Sequence, residues 1–182
     1  MNGRELSGCV IVSGMPAAGK STVTGLAARL LPRAARIKAD DLNEMILSGR
    51  VGYLGQPAEE ALRQAELCNR NLCSMAGNFV DFGFTVLVDQ LVENRSELNF
   101  LVDLLAPRPV GLVTLAPGPD VCRQRNSTRE PDEQFDFTDY DALHDDMRRE
   151  FDGVGWWFDT SALTPEETAA RLVREAPYRA IR

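Results

Sequence analysis

The sequence predicts a three-layer α/β fold, in which a mainly parallel sheet of five strands carries helices on both faces. Short apolar runs alternate with longer amphipathic segments along the 182 residues, a pattern typical of parallel strands joined by helical crossovers. The first run, CVIVS at 9–13, is apolar throughout, as expected for a strand that is covered on both faces. The chain contains no internal repeat, linker or low-complexity tract, so we expect residues 1–182 to form one domain.

Each predicted element follows from its local pattern. Strands are predicted at the short apolar runs 9–13, 36–39, 84–89, 110–115 and 156–158. Helices are predicted where apolar residues recur every three or four positions, at 20–31, 41–48, 58–80, 96–105, from Pro119 onward, 138–150 and 164–175. Thr138 and Thr164 each precede an acidic residue three positions later, which predicts a capping box at the start of the last two helices.

Composition and charge argue against several classes of protein. The four cysteines lack the spacing of a zinc site, and the single histidine cannot complete one, so we expect free thiols in a reducing compartment. The formal net charge of −7 argues against broad binding to nucleic acid. Residues 1–7 lack the apolar stretch of a signal peptide, and no run approaches the roughly eighteen apolar residues of a membrane span. We therefore expect a cytoplasmic protein.

One motif, directly after the first strand, indicates nucleotide binding. Residues 14–21 read GMPAAGKS and fit the phosphate-binding pattern G-x-x-x-x-G-K-[ST], between a buried strand and an amphipathic helix as that pattern requires. The glycines let backbone N–H groups approach a phosphate, the lysine reaches the β- and γ-phosphates, and the serine hydroxyl binds Mg²⁺. We therefore predict an ATP–Mg²⁺ site formed by Gly14, Met15, Pro16, Ala17, Ala18, Gly19, Lys20, Ser21 and Thr22.

Acidic residues stand at the ends of the second and third strands, where an open α/β sheet places its ligands. Asp40 is a candidate general base for an attacking hydroxyl, or else it caps the helix that follows; we favour catalysis, with Asp41 at the same substrate site. Asp89 ends the third strand and either helps to hold Mg²⁺ and orient the acceptor or is a turn residue. Gln90, Glu93 and Arg95 follow it as candidate acceptor-binding residues, Arg95 for a phosphate or carboxylate group.

Two arginines on the helix from Pro119 are predicted to form part of a lid. Arg125 and Arg129 lie four positions apart and share one face of that helix, beside the polar segment 129–136. We predict a lid at about 123–150 that closes over the transferring phosphoryl group, with Arg125 also binding the nucleotide. Arg123 is expected to be a solvated residue.

The motifs together resemble the P-loop kinases of the chloramphenicol 3-O-phosphotransferase-like group, which are related to polynucleotide kinase and the zeta-toxin kinases. The resemblance spans nearly the whole chain: GMPAAGKS is similar to the group's phosphate loop, IKADDL to its second-strand motif and RNSTR to its lid arginines. It implies a catalytic base at Asp40, lid arginines at Arg125 and Arg129, and a loop beside the adenine at 159–164. Segment 49–71 does not match an antibiotic pocket, so the resemblance implies a kinase without naming the acceptor.

The sequence therefore predicts an ATP-dependent kinase that phosphorylates a hydroxyl group of a small molecule such as an antibiotic, a sugar or another metabolite. Lys20 and the loop amides would hold the donor, Asp40 would take the hydroxyl proton, and Arg125 and Arg129 would offset the developing charge. One alternative is a polynucleotide 5′-hydroxyl kinase, against which the acidic net charge argues. The other is a regulatory P-loop ATPase that is not a kinase. No Asn-Lys-x-Asp motif occurs, so a GTPase is not expected.

Overall fold

The computed structural model of the protein describes residues 5–53 and 55–180. The strands are β1 (Cys9–Ser13), β2 (Ala34–Lys38), β3 (Thr85–Asp89), β4 (Val110–Leu115) and β5 (Trp156–Phe158). The α-helices are α1 (Lys20–Leu30), α2 (Ala39–Glu44), α3 (Ala58–Asp81), α4 (Arg95–Leu105), α5 (Pro119–Ser127), α6 (Tyr140–Glu150) and α7 (Pro165–Arg179), and a 3₁₀ turn covers Pro131–Glu133.

The five strands form one sheet in the order β2-β3-β1-β4-β5, and every neighbouring pair is parallel. The predicted α/β fold with a parallel sheet is confirmed. Because the strands are parallel, the segments that follow β1, β2 and β3 all leave the sheet at its carboxyl edge. The sheet therefore brings the phosphate loop, the Asp40 region and the Asp89 region together.

The apolar runs form strands because both of their faces are covered. All five residues of β1 and all five of β3 are buried, as a strand between two helical layers must be. Among the helices, α1 packs against α7, and α3 packs against α2 and α4. These two groups of helices exclude water from the sheet and hold its carboxyl edge in place.

Several predicted boundaries are corrected by the packing. Helix α2 ends at Glu44 rather than at residue 48, because only Leu42 reaches the core, while Met45 and Leu47 are 67% and 94% exposed. The capping box at Thr164 is confirmed. The one at Thr138 is wrong, since Asp139 is the N-cap of α6 and makes no side-chain cap bond.

Helix α7 also runs past its predicted end, through Pro177 to Arg179. A proline inside a helix removes one backbone hydrogen bond. Ala176 and Ala180, on either side of Pro177, are both buried. The carbonyl of Ala180 accepts a hydrogen bond of 2.9 Å from the N–H of Leu112 on β4. The packing of α7 on the sheet therefore keeps the chain helical beyond Pro177.

The range predicted as a lid contains two different structures. Tyr140 and Met147 of α6 are buried in the same core as the sheet, so this half of the range belongs to the body of the domain. The segment 127–136, by contrast, is exposed at every position. The fully exposed part of the predicted lid is therefore shorter than 123–150.

Among the described residues, no helix combines the length and the apolar character that crossing a membrane requires.

Candidate phosphoryl-transfer site

The loop between β1 and α1 has the backbone geometry of a phosphate cradle. Gly19, the N-cap of α1, has a φ of 99°, and Gly14 has a φ of 144°. A Cβ atom at Gly14 would lie 2.6 Å from the carbonyl oxygen of Leu115, closer than real Cβ contacts come. Ala17 also has a positive φ, 61°, a conformation that points successive N–H groups into one concavity. The loop is therefore shaped for an anion at the N-terminus of α1.

Lys20 supplies the positive charge of this loop. Its Nζ donates to the carbonyl oxygens of Gly14 at 2.7 Å and Met15 at 3.1 Å, so the ammonium group lies across the loop. Burial lowers the pKa of Lys20, and the nearby carboxylates of Asp89 and Asp40 oppose that change. A phosphate bound in the loop would stabilise the charged ammonium further.

The loop lines a cavity of about 220 Å³, which we call the loop cavity. It brings together most of the residues that the sequence singled out, although they come from separate parts of the chain. Its lining residues are Pro16, Ala17, Gly19, Lys20, Ser21, Thr22, Asp40, Asp89, Gln90, Leu91, Arg129 and Phe135.

Asp89 is a buried carboxylate at the floor of this cavity, 4% exposed. It is a strand residue in register with Val12 and Lys38, so the alternative of a turn residue is wrong. Arg36 holds it through an ion pair of 3.3 Å and also donates to the hydroxyl of Thr24 on α1 at 3.1 Å. These contacts hold the carboxylate beside α1.

Asp40 and Asp41 occupy the first turn of α2 and differ in where they lie. Both pair with Lys38, at 3.6 and 3.4 Å. Asp40 lines the loop cavity, whereas Asp41 is not among the lining residues of that cavity. The N-cap of α2 is Lys38, with no side-chain cap bond, so the alternative that Asp40 caps the helix is wrong.

The two predicted lid arginines do not share one helix: Arg125 lies on α5, but α5 ends at Ser127 and Arg129 lies in the segment after it. Arg125 donates to the carbonyl oxygen of Ala18 at 3.2 Å. Arg129 lines the loop cavity and lies over the ring of Phe135 at 4.7 Å. Arg123 instead pairs with Asp120 and Asp141, so its charge is neutralised away from the loop.

A second cavity of about 280 Å³ continues from the loop toward the start of α7, and we call it the α7 cavity. It shares Ala17, Gly19, Thr22 and Arg129 with the loop cavity, and Arg125, Thr160 and Leu163 also line it. The hydroxyl of Thr160 is buried and lacks a hydrogen-bond partner in the described part of the chain. Two residues of the segment 159–164, Thr160 and Leu163, thus line a cavity that adjoins the loop, and the position of the adenine beside this segment stays a prediction.

A third cavity of about 260 Å³ lies on the other side of Asp40, and we call it the α3 cavity. It shares Asp40, Gln90 and Leu91 with the loop cavity. Its lining residues are Ala39, Asp40, Asn43, Val51, Tyr53, Ala61, Ala65, Cys68, Asn69, Gln90, Leu91, Glu93 and Glu97. The loop cavity shares lining residues with both of the others, and Asp40 stands between the loop cavity and the α3 cavity.

Two polar contacts hold the walls of the α3 cavity in position. Gln64 on α3 accepts from the N–H of Val51 and donates to the carbonyl of Gly49, both at 2.8 Å, which fixes the loop after α2. The hydroxyl of Ser13, at the end of β1, accepts from the N–H of Val92 at 2.9 Å and donates to its carbonyl at 3.1 Å. The segment after β3 is thereby attached to the base of the phosphate loop.

Arg95, like Asp41, is a predicted substrate residue that lines neither the loop cavity nor the α3 cavity. Its guanidinium donates to the carbonyl oxygens of Glu150 and, at 2.7 Å, Asp152. It therefore joins the start of α4 to the end of α6, and it does not line the α3 cavity. The expectation that Arg95 binds a phosphate or carboxylate of the acceptor has no support in this geometry.

The sequence analysis missed several residues of the α3 cavity: Asn43, Tyr53, Asn69 and Glu97. Asn69 lies on the long helix α3, where a single polar residue among helical positions carries no signal of its function. Glu97 reads in sequence as an ordinary acidic residue in the first turn of a helix. Only the packing of α3 beside the carboxyl edge of the sheet shows that they face one space.

The oxygen donors of the loop cavity are compatible with Mg²⁺. In the part of the chain that the structure describes, no group of three or more metal-binding side chains occurs. Mg²⁺ commonly uses only one or two protein oxygens together with phosphates and water. The hydroxyl of Ser21 and the carboxylate of Asp89 line the cavity beside Lys20, so these residues fit that pattern.

Fold and site together define a nucleotide-binding P-loop protein with a kinase-like fold. The chain belongs to the AAA domain family, whose model matches residues 9–154. A comparison with curated proteins gives no significant match. Membership of the narrower chloramphenicol 3-O-phosphotransferase-like group stays a prediction.

Solved kinases share this fold at low sequence identity. A sugar kinase from Janibacter sp. HTCC2649 aligns with a TM-score of 0.65 and 17% identity over 92% of this chain and 94% of its own. The APS kinase of Mycobacterium tuberculosis, solved with AMPPNP and APS, gives 0.64 and 17% over 93% and 96%. The shikimate kinase of Acinetobacter baumannii, solved with shikimate, gives 0.63 and 16% over 92% of each chain.

Proposed function

We propose that the protein is an ATP-dependent phosphotransferase that moves the γ-phosphate of ATP to a hydroxyl group of a small molecule. The observation that carries the proposal is the position of Asp40, which lines both the loop cavity and the α3 cavity. A carboxylate between a phosphate site and a second cavity can accept a proton from a hydroxyl that attacks the phosphate. The fold shared with kinases that act on small molecules supports the same reaction.

Each residue of the site has a defined part in this reaction. Lys20 and the loop N–H groups bind the β- and γ-phosphates, and Arg125 and Arg129 approach from the lid side. Ser21 and Asp89 would hold Mg²⁺, which supplies charge neutralisation on the phosphates when bound. Asp40 receives the proton of the acceptor hydroxyl. A bond forms between that oxygen and the γ-phosphorus, the bond from phosphorus to the β–γ bridging oxygen breaks, and ADP leaves.

The α3 cavity also bears on the alternative acceptors. A polynucleotide end carries phosphates, and the described lining of this cavity contains no lysine or arginine to bind them. A regulatory ATPase would need no second cavity at the catalytic carboxylate. A small-molecule acceptor therefore fits the geometry better than either alternative.

The reaction also fits the expected cytoplasmic location, where ATP is available. The four cysteines are free thiols, and burial raises the pKa of Cys9 to about 12 and that of Cys73 to about 11. Such inert thiols suit a protein kept in a reducing compartment.

The proposal is tested by ADP release from Mg-ATP across hydroxylated antibiotics, sugars and nucleosides, with mass detection of a phosphate on the acceptor. We expect acceptor-dependent ADP release and one phosphate added to at least one compound. ADP release at an equal rate with and without every compound would contradict a kinase and favour the regulatory ATPase.

A further inference from the structure

The α3 cavity is negatively charged, and this bias constrains what can bind there. Three carboxylates line it, those of Asp40, Glu93 and Glu97, and no lysine or arginine is among its described lining residues. Lys38 pairs with Asp40 at 3.6 Å but is not a lining residue of this cavity. An acceptor with a carboxylate, sulfate or phosphate group would therefore meet the charges of Glu93 and Glu97 without a cationic partner there. Such an arrangement is strongly unfavourable away from bulk water.

Among the three acidic residues of this cavity, Glu93 has the carboxylate with the fewest hydrogen bonds and ion pairs to the described part of the fold. Its carboxylate makes no hydrogen bond or ion pair within residues 5–53 and 55–180, whereas its N–H donates to Glu97 at 3.1 Å. Burial raises the pKa of Glu93. Burial also raises the pKa of Glu97, and the charge of Glu93 adds to that effect. A bound cation would remove the cost of these two neighbouring charges.

Gln90 gives a second and independent indication of the ligand. The residue is 8% exposed, and its Nε2 donates to Asn69 at 2.9 Å and Glu97 at 3.3 Å. Its Oε1 is buried, and no donor reaches it from the described part of the chain. Buried carbonyl oxygens rarely lack a partner, and Gln90 lines both the loop cavity and the α3 cavity. A ligand that donates hydrogen bonds would satisfy it.

From these two observations we propose that the acceptor is a small amino alcohol, such as an amino sugar or an aminocyclitol, that carries a protonated amine near the hydroxyl to be phosphorylated. Glu93 binds the ammonium group with support from Glu97, and Gln90 Oε1 accepts from a further N–H or O–H of the acceptor. The volume of about 260 Å³ is below the usual range for drug-sized ligands, which favours a molecule of about one ring. The inference rests on the proposed phosphotransferase activity.

The test compares acceptors that differ in charge and little in size. One series is glucosamine, glucose and glucuronate, and the other is 3-amino-1,2-propanediol, glycerol and glycerate. Binding to the ADP-saturated protein is measured by calorimetry, and transfer from Mg-ATP by mass detection of the phosphorylated product. We expect the amine of at least one series to bind about ten- to a hundredfold tighter than its neutral counterpart, the usual effect of a charged hydrogen bond, and the acid to bind weakest.

Two variants decide whether Glu93 causes that preference. Glu93→Gln keeps the size of the side chain and is expected to remove most of the tenfold or larger preference. Asp103→Asn removes one negative charge from an exposed position of α4, the helix that follows Glu93, and is expected to keep that preference. Thermal melting of both variants shows that they fold.

The outcomes separate this inference from the activity on which it rests. Equal binding across both series, tightest binding of an acid, no binding of either amine, or an unchanged preference in Glu93→Gln would each overturn the amine assignment. Phosphorylation of a neutral compound with no charge preference would support the phosphotransferase activity and contradict the amine assignment. Failure to bind ADP or ATP at all would remove the phosphotransferase proposal itself.

Discussion

The loop cavity and the α3 cavity share a boundary at Asp40, yet they are built in opposite ways. The loop cavity takes half of its lining residues from one short stretch, residues 16–22, and carries the cations Lys20 and Arg129 beside the carboxylates of Asp40 and Asp89. The α3 cavity takes its wall from α2, the loop after it, α3 and the segment that leads into α4, and it carries carboxylates. A phosphate group, which all nucleotides share, can be bound by backbone N–H groups and a lysine. A particular acceptor is recognised by side chains that are specific to it.

The largest effect is expected on the loop side. Lys20→Ala should reduce phosphoryl transfer by about a thousandfold, because it removes the cation aimed at the transferring group. The change should leave the fold intact, since Lys20 bonds only to carbonyls of the loop. Steady-state ADP release measures the effect, and Arg70→Ala, which removes an exposed cation from α3, is the control. Retained activity in Lys20→Ala would overturn the donor-site assignment.

A second change acts on the boundary between the two cavities. Asp40→Asn should lower transfer by about a hundred- to ten-thousandfold, the usual contribution of a general base, while nucleotide affinity stays within about twofold. The matched control is Asp41→Asn, since Asp41 shares the Lys38 ion pair but does not line either cavity. Wild-type transfer by Asp40→Asn would make Asp41 or Asp89 the candidate base.

A third prediction distinguishes the roles of two arginines on α5, Arg125 and Arg123. Arg125→Ala should weaken ATP binding by about tenfold, because its guanidinium lies against the phosphate loop at Ala18. Arg123→Ala should leave ATP binding unchanged, since Arg123 pairs with Asp120 and Asp141. Titration with a fluorescent ATP analogue measures both. Equal effects of the two substitutions would show that α5 contributes through general charge.

The smallest effect concerns the free energy of unfolding and its dependence on pH. Three arginines surround Glu175 on α7, and the hydrogen bond from Arg171 is the main reason that its pKa falls to about 2. Its stabilising effect is therefore present above the ordinary glutamate value and is lost as the pH falls toward 2. Glu175→Gln should destabilise the protein by about 1 kcal/mol at neutral pH, with the difference shrinking in acid.

Glu93→Gln should change the free energy of unfolding in the opposite direction to Glu175→Gln. The pKa of Glu93 is raised in the folded protein, so the folded state binds a proton more readily than the unfolded state. The wild type then loses stability as the pH rises from the ordinary glutamate value through the raised value. Glu93→Gln should therefore be the more stable protein at neutral pH and should lose that advantage in acid. Urea unfolding across this pH range measures both variants; a destabilised Glu93→Gln at neutral pH would show that Glu93 has a partner in the fold.

The positions of the residues around the loop could be predicted from the sequence, because their determinants are local. The residues 14–22 carry the phosphate loop in one motif, and the alternation of strands and helices implied that Asp40 and Asp89 would meet it at the carboxyl edge of the sheet. The capping box at Thr164 is likewise a local pattern, and the structure has it.

The α3 cavity could not be predicted in the same way, because its residues meet only through tertiary packing. Asn69 and Glu97 are 28 positions apart in the chain and each also satisfies an ordinary helical role. The prediction for Arg95 failed for a related reason. Its charge suits an anion, but its guanidinium donates to the carbonyl oxygens of Glu150 and Asp152 at the end of α6. Likewise, α2 ends before the predicted residue 48, because Met45 and Leu47 are exposed instead of packing against the core.

The most direct test of the account follows the γ-phosphate of labelled ATP in a single turnover with the hydroxylated acceptors. We predict that the label appears on a small-molecule hydroxyl, that it does so with the wild type and Asp41→Asn, and that it fails to do so with Asp40→Asn. Label found only in inorganic phosphate, at the same rate with and without acceptor, would contradict the assignment of the α3 cavity as an acceptor site.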